Sequence, residues 1–118
     1  MSLKSFKELV VWQKSMDLCE EIYGIVFSFP TSEIYGLTAQ LKRAAISVPS
    51  NIAEGASRNS TKEFIQFLYI ANGSLSEVET QLELGARLKY MEEEKIPNEQ
   101  IKYIRVMLLR LISSLKNK

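Results

Sequence analysis

The chain has 118 residues, of which 46% are hydrophobic and 25% charged, a composition typical of one soluble globular domain spanning residues 1–118. Fifteen Lys and Arg residues against fourteen Asp and Glu residues leave a net charge of +1, so bulk charge predicts neither nucleic-acid nor membrane binding. The single cysteine, Cys19, cannot form an internal disulfide, and the absence of histidine excludes Ser-His-Asp and Cys-His catalytic sites and the usual zinc-binding spacings.

Four helices are predicted, because no segment alternates with the period of two that strands require. Prolines and polar stretches near residues 30–32, 57–60 and 92–98 separate them, and Ser60 and Glu63 have the spacing of a capping box. The predicted helices cover residues 8–28, 33–57, 61–91 and 98–116. Since short loops make consecutive helices antiparallel, the expected fold is all-α, an antiparallel up-down-up-down four-helix bundle.

The first predicted helix has more apolar surface than one bundle contact needs. Its apolar residues cover about 200° of a helical wheel, against roughly 100° for a core-facing stripe. One stripe contains Leu9, Trp12, Met16, Cys19, Tyr23 and Val26, and the adjacent one contains Val11, Leu18, Ile22, Ile25 and Phe29. The surplus predicts a second buried surface, and a broad core contact is the alternative.

The second predicted helix carries a row of short polar side chains where a solvated helix normally carries Lys and Glu. This row predicts either a buried hydrogen-bonding network or an oligomer contact surface. Its members are Gln40, Arg43, Ser47, Ser50, Asn51, Glu54 and Arg58.

Pro49 lies inside the same helix and removes the N–H that would bond to the carbonyl of Ala45. We expect a kink or local opening there. The donor to the freed carbonyl is expected to be water or a Ser or Arg side chain.

The third predicted helix has a core stripe and a second facet, and a hairpin centred on residues 58 and 59 sets its register against the second helix. The facet contains Ile70, Gly73, Ser74, Glu77, Leu84 and Leu88, of which Gly73, Ser74 and Glu77 are predicted to join the polar row of the second helix in the same network or interface. This register pairs Ala44 with Gly73, Arg43 with Ser74, and Gln40 with Glu77. It predicts a close backbone approach at Gly73 and a partly buried ion pair between Arg43 and Glu77 that contributes specificity more than stability.

Charge is segregated along the chain. Residues 63–94 hold two basic and seven acidic residues, and residues 95–118 hold six basic and one acidic residue. A basic helix flank contacts phosphates through counterion release, and a solvated bundle face is the alternative. The candidate nucleic-acid contacts are Lys102, Arg105 and Arg110, with Lys42 and Arg58 as secondary candidates.

Several stretches of the sequence match a family pattern in order and spacing. They include LVVWQK at residues 9–14, QLKRAA at 40–45, SVPSNIAEG at 47–55 and IANGS at 70–74, of which the third is the most specific. The chain resembles the four-helix-bundle proteins encoded by intervening sequences in bacterial large-subunit (23S) ribosomal RNA genes. The resemblance implies a ring, typically a pentamer, and no established enzymatic activity. It also implies a relationship to retroelement accessory proteins, which resemble basic pentameric barrels that bind nucleic acid and a reverse transcriptase.

Three functional hypotheses follow. The leading one is a non-enzymatic homo-oligomeric module that binds RNA or DNA, together with a protein partner, through basic side chains repeated around a ring. The second is a protein-interaction scaffold that binds no nucleic acid. The third is an enzyme or metal protein that uses Glu54 and Glu77, although the Glu-x-x-His element of di-iron bundles is absent. We expect no cofactor and no metal.

No apolar run approaches the roughly 18 residues of a membrane span, and the N-terminus lacks the apolar core of a signal peptide. The lone cysteine fits a reducing compartment. We therefore expect a cytoplasmic protein without membrane contact.

Overall fold

The computed structural model describes residues 5–118 and contains, within them, four α-helices and no β-strand. The helices are α1 (Val10–Ile25), α2 (Leu37–Ala56), α3 (Thr61–Arg87) and α4 (Asn98–Lys116). They form a four-helix bundle in which α2 packs against α1 and α3, and α4 packs against α3 and α1. The prediction of an all-α fold with four helices is thereby confirmed.

Three helices are shorter than predicted, because their ends adopt other conformations. Short 3₁₀ turns at Val26–Ser28 and Thr31–Glu33 replace the predicted end of α1 and start of α2. Gly36, with non-helical backbone angles, directly precedes α2. The α3 helix ends at Arg87, and Lys89 has a positive φ of 66°, the left-handed conformation that terminates helices.

The core is one apolar cluster to which all four helices contribute. Burying a leucine or isoleucine side chain completely contributes about 1.5–3 kcal/mol, which is offset by the conformational entropy lost on folding. Fully buried side chains include Leu18, Ile22, Leu41, Ile52, Leu68, Leu75, Leu82, Ile101, Ile104 and Leu108.

Two glycines mark the places where elements approach too closely for a larger residue. A Cβ atom at Gly55 would lie 2.7 Å from the Cβ of Phe67, and one at Gly85 would lie 2.8 Å from the ring of Phe29. A Cβ at Gly73 would meet nothing within 4 Å in the described chain. The close approach predicted at Gly73 is therefore wrong, and the tight contact between α2 and α3 lies at Gly55.

The α2 helix continues through Pro49, and a neighbouring helix satisfies the carbonyl that this proline leaves free. The Sγ of Cys19, on α1, donates a hydrogen bond to the carbonyl oxygen of Ala45 at 2.9 Å. The donor is therefore a thiol, and not the water, Ser or Arg side chain that the sequence pattern predicts.

The environment of Cys19 suits it to this role. Burial, and secondarily the negative charge of Glu20, raise the pKa of the Cys19 thiol to about 11. The thiol is consequently protonated at neutral pH, and only the protonated form donates a hydrogen bond.

The start of α2 is held by the carboxylate of Glu33. Its Oε1 accepts a hydrogen bond from the Leu37 N–H at 3.0 Å, and its Oε2 accepts one from the Tyr90 hydroxyl at 2.8 Å. The Leu37 bond, followed by the Tyr90 bond, lowers the pKa of Glu33 below its ordinary value. Since Tyr90 follows α3 in the chain, one side chain ties the start of α2 to the segment after α3.

We predict that Cys19→Ala lowers the free energy of unfolding by about 1–3 kcal/mol, because it leaves the buried Ala45 carbonyl without a donor. Pro49→Ala restores the backbone N–H that bonds to this carbonyl. The Cys19→Ala cost, measured by urea unfolding, should therefore fall by at least half in the Pro49→Ala background. An equal cost in both backgrounds would contradict the role assigned to the thiol.

We also predict that Glu33 contributes to the pH dependence of stability. Because its pKa is lower in the folded chain than in the unfolded one, its contribution is complete above about pH 5 and is lost as the pH falls through the folded-state pKa. Urea midpoints measured from pH 7 to pH 3 should therefore fall less steeply for Glu33→Gln than for the native chain. Identical slopes would show that the two hydrogen bonds do not stabilise the ionised form.

Candidate interaction surfaces

An open apolar groove of about 810 Å³ runs between α1 and α2. Several of its large apolar side chains are exposed, most of all Phe27, which is 90% exposed. We term it the α1–α2 groove, and its lining residues are Trp12, Met16, Cys19, Glu20, Tyr23, Gly24, Phe27, Ile46, Pro49, Ser50 and Ala53.

The groove arises from the surplus apolar surface that the sequence predicts for α1. Val11, Leu18 and Ile22 are buried in the core, whereas Met16 and Tyr23, in the neighbouring stripe, are exposed. The stripe is therefore divided, since Val26 is buried in the core and Leu9, Trp12 and Cys19 pack against it, while only Met16 and Tyr23 are exposed. The Cys19 thiol and Pro49 both line the groove, so the bond to Ala45 ties its two walls together.

A polar network lies on the opposite flank of α2, between α2 and α3. The hydroxyls of Ser47 and Ser74 are 2.9 Å apart, and the Asn51 amide donates to the Ser47 carbonyl at 2.8 Å and to the Ser47 hydroxyl at 2.9 Å. The structure thus brings together three of the residues predicted for a network or interface. The other members of that group, all exposed, are Gln40, Arg43, Ser50, Glu54, Gly73 and Glu77.

The register between α2 and α3 differs from the predicted one by about one helical turn, because Ser74 contacts Ser47 instead of Arg43. The first turn of α3 is exposed, and its packing against α2 starts where Phe64 contacts Gly55. Residues 57–60 and the first turn of α3 therefore extend beyond the end of α2, and the packing of α3 against α2 begins only after them. The predicted pairings of Ala44 with Gly73, Arg43 with Ser74 and Gln40 with Glu77 are accordingly wrong.

The displaced register also leaves Arg43 without its predicted partner. Both Arg43 and Glu77 are exposed, and no ion pair joins them among residues 5–118. The two side chains thus remain available at the surface.

The outer side of α3 presents exposed residues at the three- and four-residue spacing of one helix face. Ile70, Leu84 and Leu88 are about half exposed, with Glu77 among them. We term this surface the α3 facet, and its residues are Ile70, Gly73, Glu77, Leu84 and Leu88. Ser74, which the sequence places on this facet, is instead buried and contacts Ser47 of α2.

Arg105, predicted as a primary phosphate contact, is engaged within the bundle. Its guanidinium donates to the Asn72 side chain at 3.0 Å, to the Ser76 hydroxyl at 3.1 Å and to the Glu79 carboxylate at 2.6 Å. All three acceptors are on α3, so Arg105 ties α4 to α3. This arrangement argues against Arg105 as a free phosphate ligand.

Arg58, a secondary candidate, is also engaged. Its guanidinium forms ion pairs with Glu54 at 3.1 Å and Glu63 at 3.6 Å, and it lies 5.2 Å from the centre of the Phe67 ring. Arg58 therefore joins the end of α2 to the start of α3.

Lys102 and Arg110 are exposed on α4, and neither has an ion-pair partner within the described part of the chain. With Tyr103, whose ring is half exposed, they line a shallow hollow of about 330 Å³, which the acidic residue Glu99 also lines. We term Lys102, Tyr103 and Arg110 the α4 basic patch. Lys42 lies elsewhere, with its ammonium 4.9 Å from the centre of the Tyr23 ring.

The carboxylates considered for catalysis are far apart. Glu54 adjoins Gly55, which packs against Phe67, and Glu77 lies ten residues beyond Phe67, about 15 Å along α3. In residues 5–118, no group of three or more His, Cys, Asp or Glu side chains is placed to hold a metal ion. None of the helices described is long and apolar enough to cross a membrane.

Comparison with curated proteins finds no match. A family model described as 23S rRNA-intervening sequence protein matches residues 7–110. The match includes α1, α2 and α3, most of α4, and the surfaces described above. Given this span and the four-helix bundle, the chain belongs to the family of 23S rRNA-intervening sequence proteins.

Proposed function

We propose that this protein is a non-enzymatic module that assembles as a homo-oligomeric ring and that the α1–α2 groove is covered in the assembly. A pentamer is the expected ring size, since the family resemblance implies it. The bundle in each copy is proposed to have antiparallel up-down-up-down topology.

The observation that carries this proposal is the exposure of the α1–α2 groove. Large exposed apolar surfaces on a soluble chain mark contact sites, because leaving them in water is unfavourable. Phe27 is almost fully exposed on this groove, and Met16, Tyr23 and Ile46 are partly exposed beside it. These four residues come from α1, the 3₁₀ turn that follows it and α2, and they line one groove of the kind that a partner covers.

The proposed topology rests on the contacts between α2 and α3. Only residues 57–60 connect these helices. Gly55, near the end of α2, contacts Phe64 and Phe67, near the start of α3, while Ser47 contacts Ser74 further from the connection. Contacts that pair later residues of one helix with earlier residues of the next are those of an antiparallel pair.

We predict that the native protein has about five times the mass of one chain in light scattering and that Phe27→Glu lowers this mass. A carboxylate buried in an apolar contact is unfavourable enough to weaken association by about 100-fold or more. Tyr35→Glu is the matched control, since Tyr35 is 94% exposed and does not line the groove. A native protein that stays monomeric at high concentration would overturn the proposal.

A second candidate function, nucleic-acid binding, is favoured by the α4 basic patch. Lys102 and Arg110 both present a cationic group that has no ion-pair partner in residues 5–118, and Tyr103 adds an exposed ring. Cations bind phosphates, and aromatic rings stack on unpaired bases. A ring would repeat this small patch and strengthen its binding by multivalency.

We predict that single-stranded RNA binds in fluorescence anisotropy and that Lys102→Ala and Arg110→Ala each weaken binding. Since each substitution removes one cation from a phosphate, it should also reduce the slope of log affinity against log salt by about one. Lys14→Ala is the control, because Lys14 is an exposed lysine of α1 outside the patch. Absence of binding at low salt, combined with co-purifying proteins that survive nuclease treatment, would favour the protein-interaction scaffold instead.

A further inference from the structure

Two glycines in the helices have no explanation within a single chain. Neither Gly24 on α1 nor Gly73 on α3 has any atom within 4 Å of the position a Cβ would take, apart from its own local backbone. No glycine in residues 5–118 has a positive φ, so a special backbone conformation does not require them either. Because glycine destabilises a helix relative to alanine, both positions carry an uncompensated cost in the isolated chain.

The other helix glycines show what this chain uses glycine for. At Gly55 and Gly85 a Cβ would collide with a phenylalanine of another element. Glycine there allows close packing. The same explanation applies to Gly24 and Gly73 if the neighbouring atoms belong to a second molecule.

Gly24 lines the α1–α2 groove, and Gly73 belongs to the α3 facet. We propose that the α3 facet of one copy seats in the α1–α2 groove of the next copy, with Gly73 and Gly24 at points of close approach. This inference rests on the homo-oligomeric assembly proposed above and names its two contact surfaces. Because the surfaces differ, the contact is head-to-tail, the kind that generates a ring when it closes.

The shapes of the two surfaces fit each other. The groove is concave, and the facet is the convex outer side of one helix. From Trp12 to Gly24 the groove follows α1 for about 18 Å, and from Ile70 to Leu88 the facet extends about 27 Å, at 1.5 Å per residue, so the facet is long enough to fill the groove. Two copies of the concave groove would not fill one another, which disfavours a contact of groove with groove.

One pair of charges on the two surfaces is complementary. The facet carries the carboxylate of Glu77, and Lys42, which does not itself line the groove, lies beside Tyr23, which does. Neither Glu77 nor Lys42 has an ion-pair partner in the described residues. Glu20 also lines the groove and has the same charge as Glu77, so the pairing places Glu77 toward Lys42 and away from Glu20.

A mixing experiment tests the pairing. Phe27→Glu disables the groove and leaves the facet intact, whereas Leu84→Glu disables the facet and leaves the groove intact. Each variant alone should be monomeric in light scattering. An equimolar mixture should form a 1:1 heterodimer, because only one competent groove and one competent facet remain.

Matched controls separate the contact from a general effect of the new charge. Leu109→Glu is the control for Leu84→Glu, because Leu84 and Leu109 are both 45% exposed and Leu109 is on α4. Gly73→Ala is a milder facet variant, and we expect a higher thermal midpoint for the isolated chain but assembly at least about tenfold weaker. Circular dichroism reports whether each variant folds, and Gly73→Ala replaces Leu84→Glu if the latter does not.

The outcomes distinguish this inference from the proposed function. If the native protein is oligomeric but the facet variants keep its mass, the pairing is wrong while the assembly stands. If both variants are monomeric and their mixture does not associate, the head-to-tail pairing is wrong. If the native protein is itself monomeric, the assembly fails and the pairing fails with it.

Discussion

The position of α2 between α1 and α3 constrains the rest of this structure. On one flank the Cys19 thiol bonds to the Ala45 carbonyl, and on the other Gly55 allows Phe67 to approach. These contacts fix α2 from both sides, and the α1–α2 groove lies along the flank where Cys19 meets α2. The α1–α2 groove is therefore a consequence of how the core packs.

The helical pattern was predictable because it depends on local chemistry. Apolar spacing indicated four helices, and the Ser60 hydroxyl accepts from the Glu63 N–H at 3.2 Å, as the capping pattern predicts. The register between α2 and α3 was not predictable in this way. It depends on the conformation of the connecting residues 57–60. A register calculated by centring the hairpin on the midpoint of that segment is wrong by about one helical turn.

The candidate surfaces were predictable in part for the same reason. The surplus apolar stripe that lines the groove is a property of α1 alone, so a helical wheel of that one segment is enough to reveal it. The engagement of Arg105 by Asn72, Ser76 and Glu79 depends on residues 26 to 33 positions away, which no local pattern relates to it. The number of basic residues along α4 therefore overestimates the positive charge free to meet a phosphate.

The bond between Cys19 and Ala45 also has a consequence for the divergence of related sequences. The Cys19 thiol is required as a hydrogen-bond donor only because the residue four positions after Ala45 is a proline, which has no backbone N–H. A relative that loses the proline regains the backbone donor, and its cysteine is then free to change to another small apolar residue. A relative that keeps the proline must keep a short side chain with a hydrogen-bond donor at the position of Cys19. Substitutions at these two positions should therefore be correlated among related sequences.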